Sequence, residues 1–165
     1  MTASVSACPG CGTPNDPADG DHEAGPDLVA SPTCQRLFEV VLAREFSDPD
    51  YFAVHRLTVA AHVLQHPSAH SDRSLAVHLA LLRLTTRSGA ETGESPAPVR
   101  RVPDRLQRLP APHLEPPTHR GDITVADVVQ ASTAAEHCRR VRAWSQSVWY
   151  AWSPHHATVE AWCTP

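Results

Sequence analysis

From Cys34 onward, apolar residues return with a helical period. Leu37, Phe38, Val41 and Leu42 fall at i, i+1, i+4 and i+5, which places an apolar face on a first helix ending near Phe46. Ser47-Asp48-Pro49 reads as a stop and restart, with Asp48 capping the next helix and Pro49 at its first position. That second helix is expected to run to His66, because Pro67 disfavours helix in the residue before it. Ser71 or Asp72 caps a third helix, with Leu75, Leu79 and Leu82 facing the core, joined by Val77 and Leu81. Thr124 and Asp127 open a short helix through Ala131. Thr133-x-x-Glu136 is a capping-box signature for a helix running to about Trp152, and Pro154 restarts a last turn or two containing His155, His156 and Trp162. No strand pattern and no internal repeat interrupts this series. The expected fold is all-α, an irregular helical bundle of about five or six helices.

Two regions lack the period. Residues 1–33 form a loop-rich cysteine arm around Cys8-Pro-Gly-Cys11-Gly12. The helical domain, 34–165, is interrupted at about 88–121 by a break carrying seven prolines and several arginines. A loop of that length inside a compact domain is either functional or disordered. Arg100, Arg101, Arg105, Arg108 and Arg120 lie in it. They read as a solvated loop, or more sharply as an anion-binding lid.

Composition narrows the setting. The chain of 165 residues fits one domain, and 41% hydrophobic with 19% charged residues is ordinary for a globular protein. A net charge of −4 offers no general attraction to nucleic acid or anionic membrane, and the eleven histidines alter that only at mildly acidic pH. No apolar run reaches bilayer length and no basic region follows Met1, so a cytoplasmic protein is expected. Five cysteines, an odd number with two in a C-x-x-C pair, suit reduced metal-binding thiols better than a disulfide framework.

Cys8-Pro-Gly-Cys11-Gly12 has the shape of a zinc knuckle, in which two thiolates grip one ion while glycine turns backbone amides toward the sulfurs. A second C-x-x-C is missing. Cys34 offers a third thiolate, and His22 or Cys163 stands as a candidate fourth ligand. A redox pair lacks the surrounding βαβ pattern, and an unmetallated pair in a mobile arm is the bland alternative.

The second helix carries His55, His62 and His66 on one stripe, within about 40° of one another at about 100° per residue. His55 and His66 lie about 16 Å apart along the axis and cannot share an ion, whereas His62 and His66, one turn apart, can. His78, His155 and His156 sit on other elements. A ligand set such as His66, His78 and His155 would make an open, catalytic-type site, suiting zinc as water activator, or iron or copper for oxygen chemistry. Glu45, Asp48, Asp50 and Glu160 are candidate carboxylate ligands or bases, although capping explains Asp48 better. His113, His119 and His137 read as surface or loop residues. Trp144, Trp149, Trp152 and Trp162 follow largely helical spacing and read as core rather than as a stacking platform; facing a cavity, they would wall an apolar pocket. The nucleotide-binding glycine motifs and G-x-S-x-G do not occur.

Several of these stretches together resemble an uncharacterised bacterial family, frequent in actinobacteria and related soil bacteria. They are Cys-Pro-Gly-Cys-Gly, Ser31-Pro-Thr-Cys34, Leu42-Ala-Arg-Glu-Phe-Ser-Asp-Pro49, Val54-His-Arg-Leu-Thr-Val59, Gln65-His-Pro67, Leu75-Ala-Val-His-Leu79 and Trp152-Ser-Pro-His-His-Ala157. The resemblance spans most of the chain and brings no assigned activity. Its pattern reads closer to Thr-Val-Asp-Ala-Tyr where this chain has Thr58-Val-Ala-Ala-His62. The resemblance therefore implies His55, His66, His78 and His155 as the shared set, with Ala60 and His62 marking a specialised or lost activity. Two functions are expected from these readings. One is a small metal-dependent enzyme acting on a small molecule in bacterial specialised metabolism. The other is a zinc-stabilised interaction or regulatory module with a protein partner.

Overall fold

A computed structural model describes residues 6–19, 29–88, 106, 108 and 113–164. The described residues contain seven α-helices, and β-structure among them amounts to one isolated bridge between Ala7 and Pro14. The helices are α1 (Pro32–Ser47), α2 (Pro49–Phe52), α3 (His55–Gln65), α4 (Asp72–Ser88), α5 (Val125–Val129), α6 (Ala134–Ala151) and α7 (His156–Cys163). Among the described residues no helix is long and apolar enough to cross a membrane. His22 and most of the proline-rich break, with Arg100, Arg101 and Arg105, lie outside the described residues.

The caps fall where local chemistry puts them. Ser31 accepts from the Cys34 amide, Asp48 from the Asp50 amide and Thr124 from the Ala126 amide, each supplying an acceptor to an otherwise orphaned N–H. At Thr133 the reciprocal arm of the box is displaced: Glu136 accepts from the Ser132 amide instead. The expected second helix, by contrast, is not continuous. It breaks at Ala53–Val54, where Val54 leaves the helical region at φ −110° and ψ 5°. The break turns α3 so that its first turn meets the end of α1, and it accounts for the higher helix count.

α3 is the hub. It packs on α4 and α6, while α1 leans on α2 and α5. Seven of its eleven residues are buried, all of Ala60–Gln65 among them. Trp144 and Trp152 are fully buried against it, each indole contributing about 4–6 kcal/mol of transfer free energy. Their N–H groups are satisfied, Trp144 donating to Gln65 Oε1 and Trp152 to the Leu64 carbonyl. Gln65 in turn donates to the carbonyls of Arg120 and Ile123, tying α3 to the segment before α5.

α1 and α3 run antiparallel and meet through polar side chains at both ends. Cys34 lies near His66 at one end, and Glu45 bonds His55 and Thr58 at the other. Along the α1–α3 seam an open groove of about 730 Å³ remains, lined by Phe38, Leu42 and Phe46 from α1 and by His55, Val59, His62 and Val63 from α3, and it continues past His66 to Ala69 and His70.

Candidate metal centre

The arm is not a free tail. Cys8 and Thr13 are buried, and Cys8 N–H donates to the Thr13 carbonyl while Gly12 N–H donates to that of Cys8. Gly12 takes φ +78°, a left-handed turn that glycine adopts without strain. This tight loop presents Cys8 and Cys11 to the start of α1 and the end of α3. Cys8, Cys11, Cys34 and His66 bring one ligand atom each to within 4.8 Å of all the others. Four such atoms are close enough to hold one metal ion.

The edges of the cluster test that fit. Cys8 Sγ lies 3.4 Å from His66 Nε2, Cys34 Sγ lies 3.5 Å from the same nitrogen, and Cys11 Sγ lies 3.6 Å from Cys34 Sγ. A tetrahedral zinc with Zn–S of about 2.3 Å and Zn–N of about 2.0–2.1 Å has S···S edges of about 3.8 Å and S···N edges of about 3.6 Å. These three edges match a tetrahedral ion, and the other three lie within 4.8 Å.

The surroundings orient these ligands. His66 Nδ1–H donates to the His62 carbonyl at 2.7 Å, which leaves Nε2 as the lone-pair nitrogen aimed at the sulfurs. Ser31 N–H donates to Cys8 Sγ, and Thr13 Oγ1 stands 3.0 Å from Cys11 Sγ. Arg120 donates to the carbonyls of Pro9 and Gly10, so this arginine of the proline-rich break braces the knuckle instead of lying in solvent. Its role was invisible in sequence, because the contact spans 110 residues.

Crowding sets the electrostatics. Hydrogen bonds from Cys11 and Cys34 pull the Cys8 thiol far below its ordinary value, while Cys11 and Cys8 push Cys34 far up. Burial works against the charged form of His66, but the Cys11 and Cys8 sulfurs outweigh it and raise the imidazole to about 9. Cys34 therefore resists ionising beside Cys8 unless a cation joins them, which a divalent metal does.

Gly10 gives the site its closeness. A Cβ there would stand 2.1 Å from His66 Cδ2 and 2.9 Å from the Gln65 carbonyl oxygen. Gly10→Ala must push the knuckle away from α3. Its metal affinity is expected to fall about 10–100-fold, read by competition with a chromophoric chelator; an unchanged affinity would mean that the knuckle need not touch His66.

The remaining expected ligands are placed elsewhere. His62 is buried beside the cluster, with Nε2 4.0 Å from Cys34 Sγ and its ring stacked on Phe38 at 3.7 Å. Burial, then the neighbouring His66, push it down to about 3. His55 pairs with Glu45 at the far end of α3. His155 donates to the Glu115 carbonyl, and His156 donates to the Trp149 carbonyl while stacking on that indole at 3.8 Å. Each of the last two already spends a nitrogen on holding the chain. Cys163, offered as fourth ligand, sits on α7 with its sulfur toward the Ala80 carbonyl; His66 takes that place instead. His113 and His119 are exposed as expected, but His137, expected at the surface or in a loop, is fully buried on α6, and its Nε2–H donates to Glu45 Oε1 at 2.9 Å.

His78, part-buried on α4, is likewise separate from the cluster, and burial followed by the charge of His70 pushes it from 6.5 down to about 4. The folded state thus prefers it neutral, so its contribution to stability is complete above pH 6.5 and is lost as pH falls toward 4. Between those limits the wild type should lose at most on the order of 3 kcal/mol through this residue. Urea midpoints from pH 7 to pH 4 test this: His78→Gln should show a shallower slope, and parallel slopes would refute it.

A search of curated proteins and of solved structures finds no match to the chain. A family model does match, over residues 6–153, from the start of the described arm through α6 and so across all four clustered ligands. The chain belongs to that family, a family of unknown function (DUF5946).

Proposed function

We propose that the chain is a zinc-stabilised helical module whose groove between α1 and α3 receives a small molecule. The observation that carries the zinc assignment is the set of 3.4–3.6 Å edges joining three sulfurs and one imidazole nitrogen. Three thiolates and one imidazole fill a tetrahedral shell and leave no position for water or substrate, as in structural sites. Three cysteines with one histidine are a donor set of structural zinc sites. The ion would hold the arm, α1 and α3 together. That favours the zinc-stabilised binding or regulatory module over a metal-dependent enzyme of specialised metabolism. Three cysteines gathered as metal ligands suit a reducing, cytoplasmic setting, where thiols are kept from forming disulfides. The groove supports the small-molecule reading, since about 730 Å³ with a largely apolar lining falls within the usual range for such sites.

Metal analysis by mass spectrometry tests the assignment. One zinc per chain is expected in the wild type and in His55→Ala/His78→Ala, and none in Cys8→Ser/Cys11→Ser. A second ion lost with His55 and His78 would return the weight to a catalytic histidine site.

A further inference from the structure

The second clasp between α1 and α3 is built unlike a simple helix tie. Glu45 is fully buried, and three donors converge on its carboxylate: His55 Nδ1 at 2.8 Å, His137 Nε2 at 2.9 Å and the Thr58 hydroxyl. A carboxylate so placed can only accept, so each imidazole must present an N–H to it. That fixes the tautomer of both rings. His137 is wholly enclosed, with Nδ1 left unpartnered. His55 differs. Its side chain keeps 20% exposure, and the residue lines the groove.

With Nδ1–H donating to Glu45, the neutral imidazole of His55 carries its lone pair on Nε2. The ring is gripped between Phe52, stacked at 4.8 Å and 11°, and Phe46, edge-on at 4.8 Å. Both phenylalanines are themselves exposed, 45% for Phe52 and 68% for Phe46, so apolar surface surrounds a basic nitrogen of fixed orientation. A clasp that served stability alone would need neither the partial exposure nor the aromatic frame.

We propose that this end of the groove is a proton-accepting site for small apolar molecules bearing an acidic O–H, phenols being the simplest case. His55 Nε2 is the acceptor, and Glu45 is the positioning residue that sets its tautomer. The proposal deepens the small-molecule reading of the groove and rests on it.

The test uses the full zinc-loaded chain with two probes, 2-naphthol and 2-methoxynaphthalene, which differ in whether the oxygen can donate. Calorimetric titration should show naphthol binding roughly 3- to 10-fold tighter, the worth of one hydrogen bond. His55→Phe keeps an apolar ring at the position and should abolish the preference while the ether still binds. Glu45→Gln can offer its amide N–H to Nδ1 and move the histidine proton to Nε2; the preference should then disappear, because either oxygen can accept from an N–H. Should that variant fail to fold, nitrogen chemical shifts of the wild-type histidines report the His55 tautomer directly, and a proton on Nε2 would overturn the proposal. Equal binding of both probes, unchanged in His55→Phe, overturns the proton-accepting role and leaves the groove as a small-molecule site. Binding of neither probe overturns both.

Discussion

Cys8→Ser/Cys11→Ser should unfold more readily than the wild type by at least about 3 kcal/mol, with a correspondingly lower denaturant midpoint. Structural zinc in small domains is worth about 10–16 kcal/mol of apparent binding free energy, because ligands that are scattered in the unfolded chain are gathered in the folded one. Here the helices have a core of their own, including Leu64, Trp144 and Trp152, so only part of that total is lost. What goes is the anchoring of the arm to α1 and α3 through Cys34 and His66. Chelation of the wild type should reproduce the variant's midpoint, and the variant itself should ignore the chelator. His62→Ala serves as control: it removes an imidazole beside the cluster and should leave the metal bound. A serine variant as stable as the wild type would show that the sulfurs hold nothing together.

The second large effect is expected at Glu45. Glu45→Ala strands two imidazole N–H groups and the Thr58 hydroxyl, all turned toward a buried cavity, and deletes the bond between the end of α1, the start of α3 and α6. Breaking a buried charged network by removing one partner costs about 3–5 kcal/mol. That is a large fraction of a domain's total stability of about 5–15 kcal/mol. Urea unfolding at pH 7.5 measures it. Glu45→Gln, which retains one acceptor oxygen, should lose clearly less, whereas equal losses would assign the effect to packing volume instead of to the hydrogen bonds.

Much of this was within reach of one-dimensional reasoning, and some signals went unused. On α1 the buried residues are Cys34, Val41 and Glu45, so a carboxylate stands in phase with the core stripe. On α6, His137 begins the series completed by Val141, Trp144 and Val148 at i, i+4, i+7 and i+11. A charge and an imidazole in phase with two separate core stripes are candidates to meet, because neither can be buried alone. The helical stripe of His55, His62 and His66 carried less information than its regularity suggests. All three lie on α3 and its C-cap, past the break at Val54, but the angle along one helix does not show that His55 meets Glu45, His62 stacks on Phe38 and His66 meets the sulfurs.

The sequence alone determined what is local. Apolar spacing, the caps at Ser31, Asp48, Thr124 and Thr133, and the turn at Cys8–Gly12 each depend on residues within a few positions of one another, so the all-α architecture and the thiolate pair could be read directly. Tertiary structure decided which imidazole completes the sulfur set and which faces the groove. His66 reaches Cys8 across 58 residues and Cys34 across 32, and His137 reaches Glu45 across 92. Those meetings come from how α1, α3 and α6 pack around buried indoles, and no periodicity along the chain encodes the angle or the antiparallel register at which two helices come to rest.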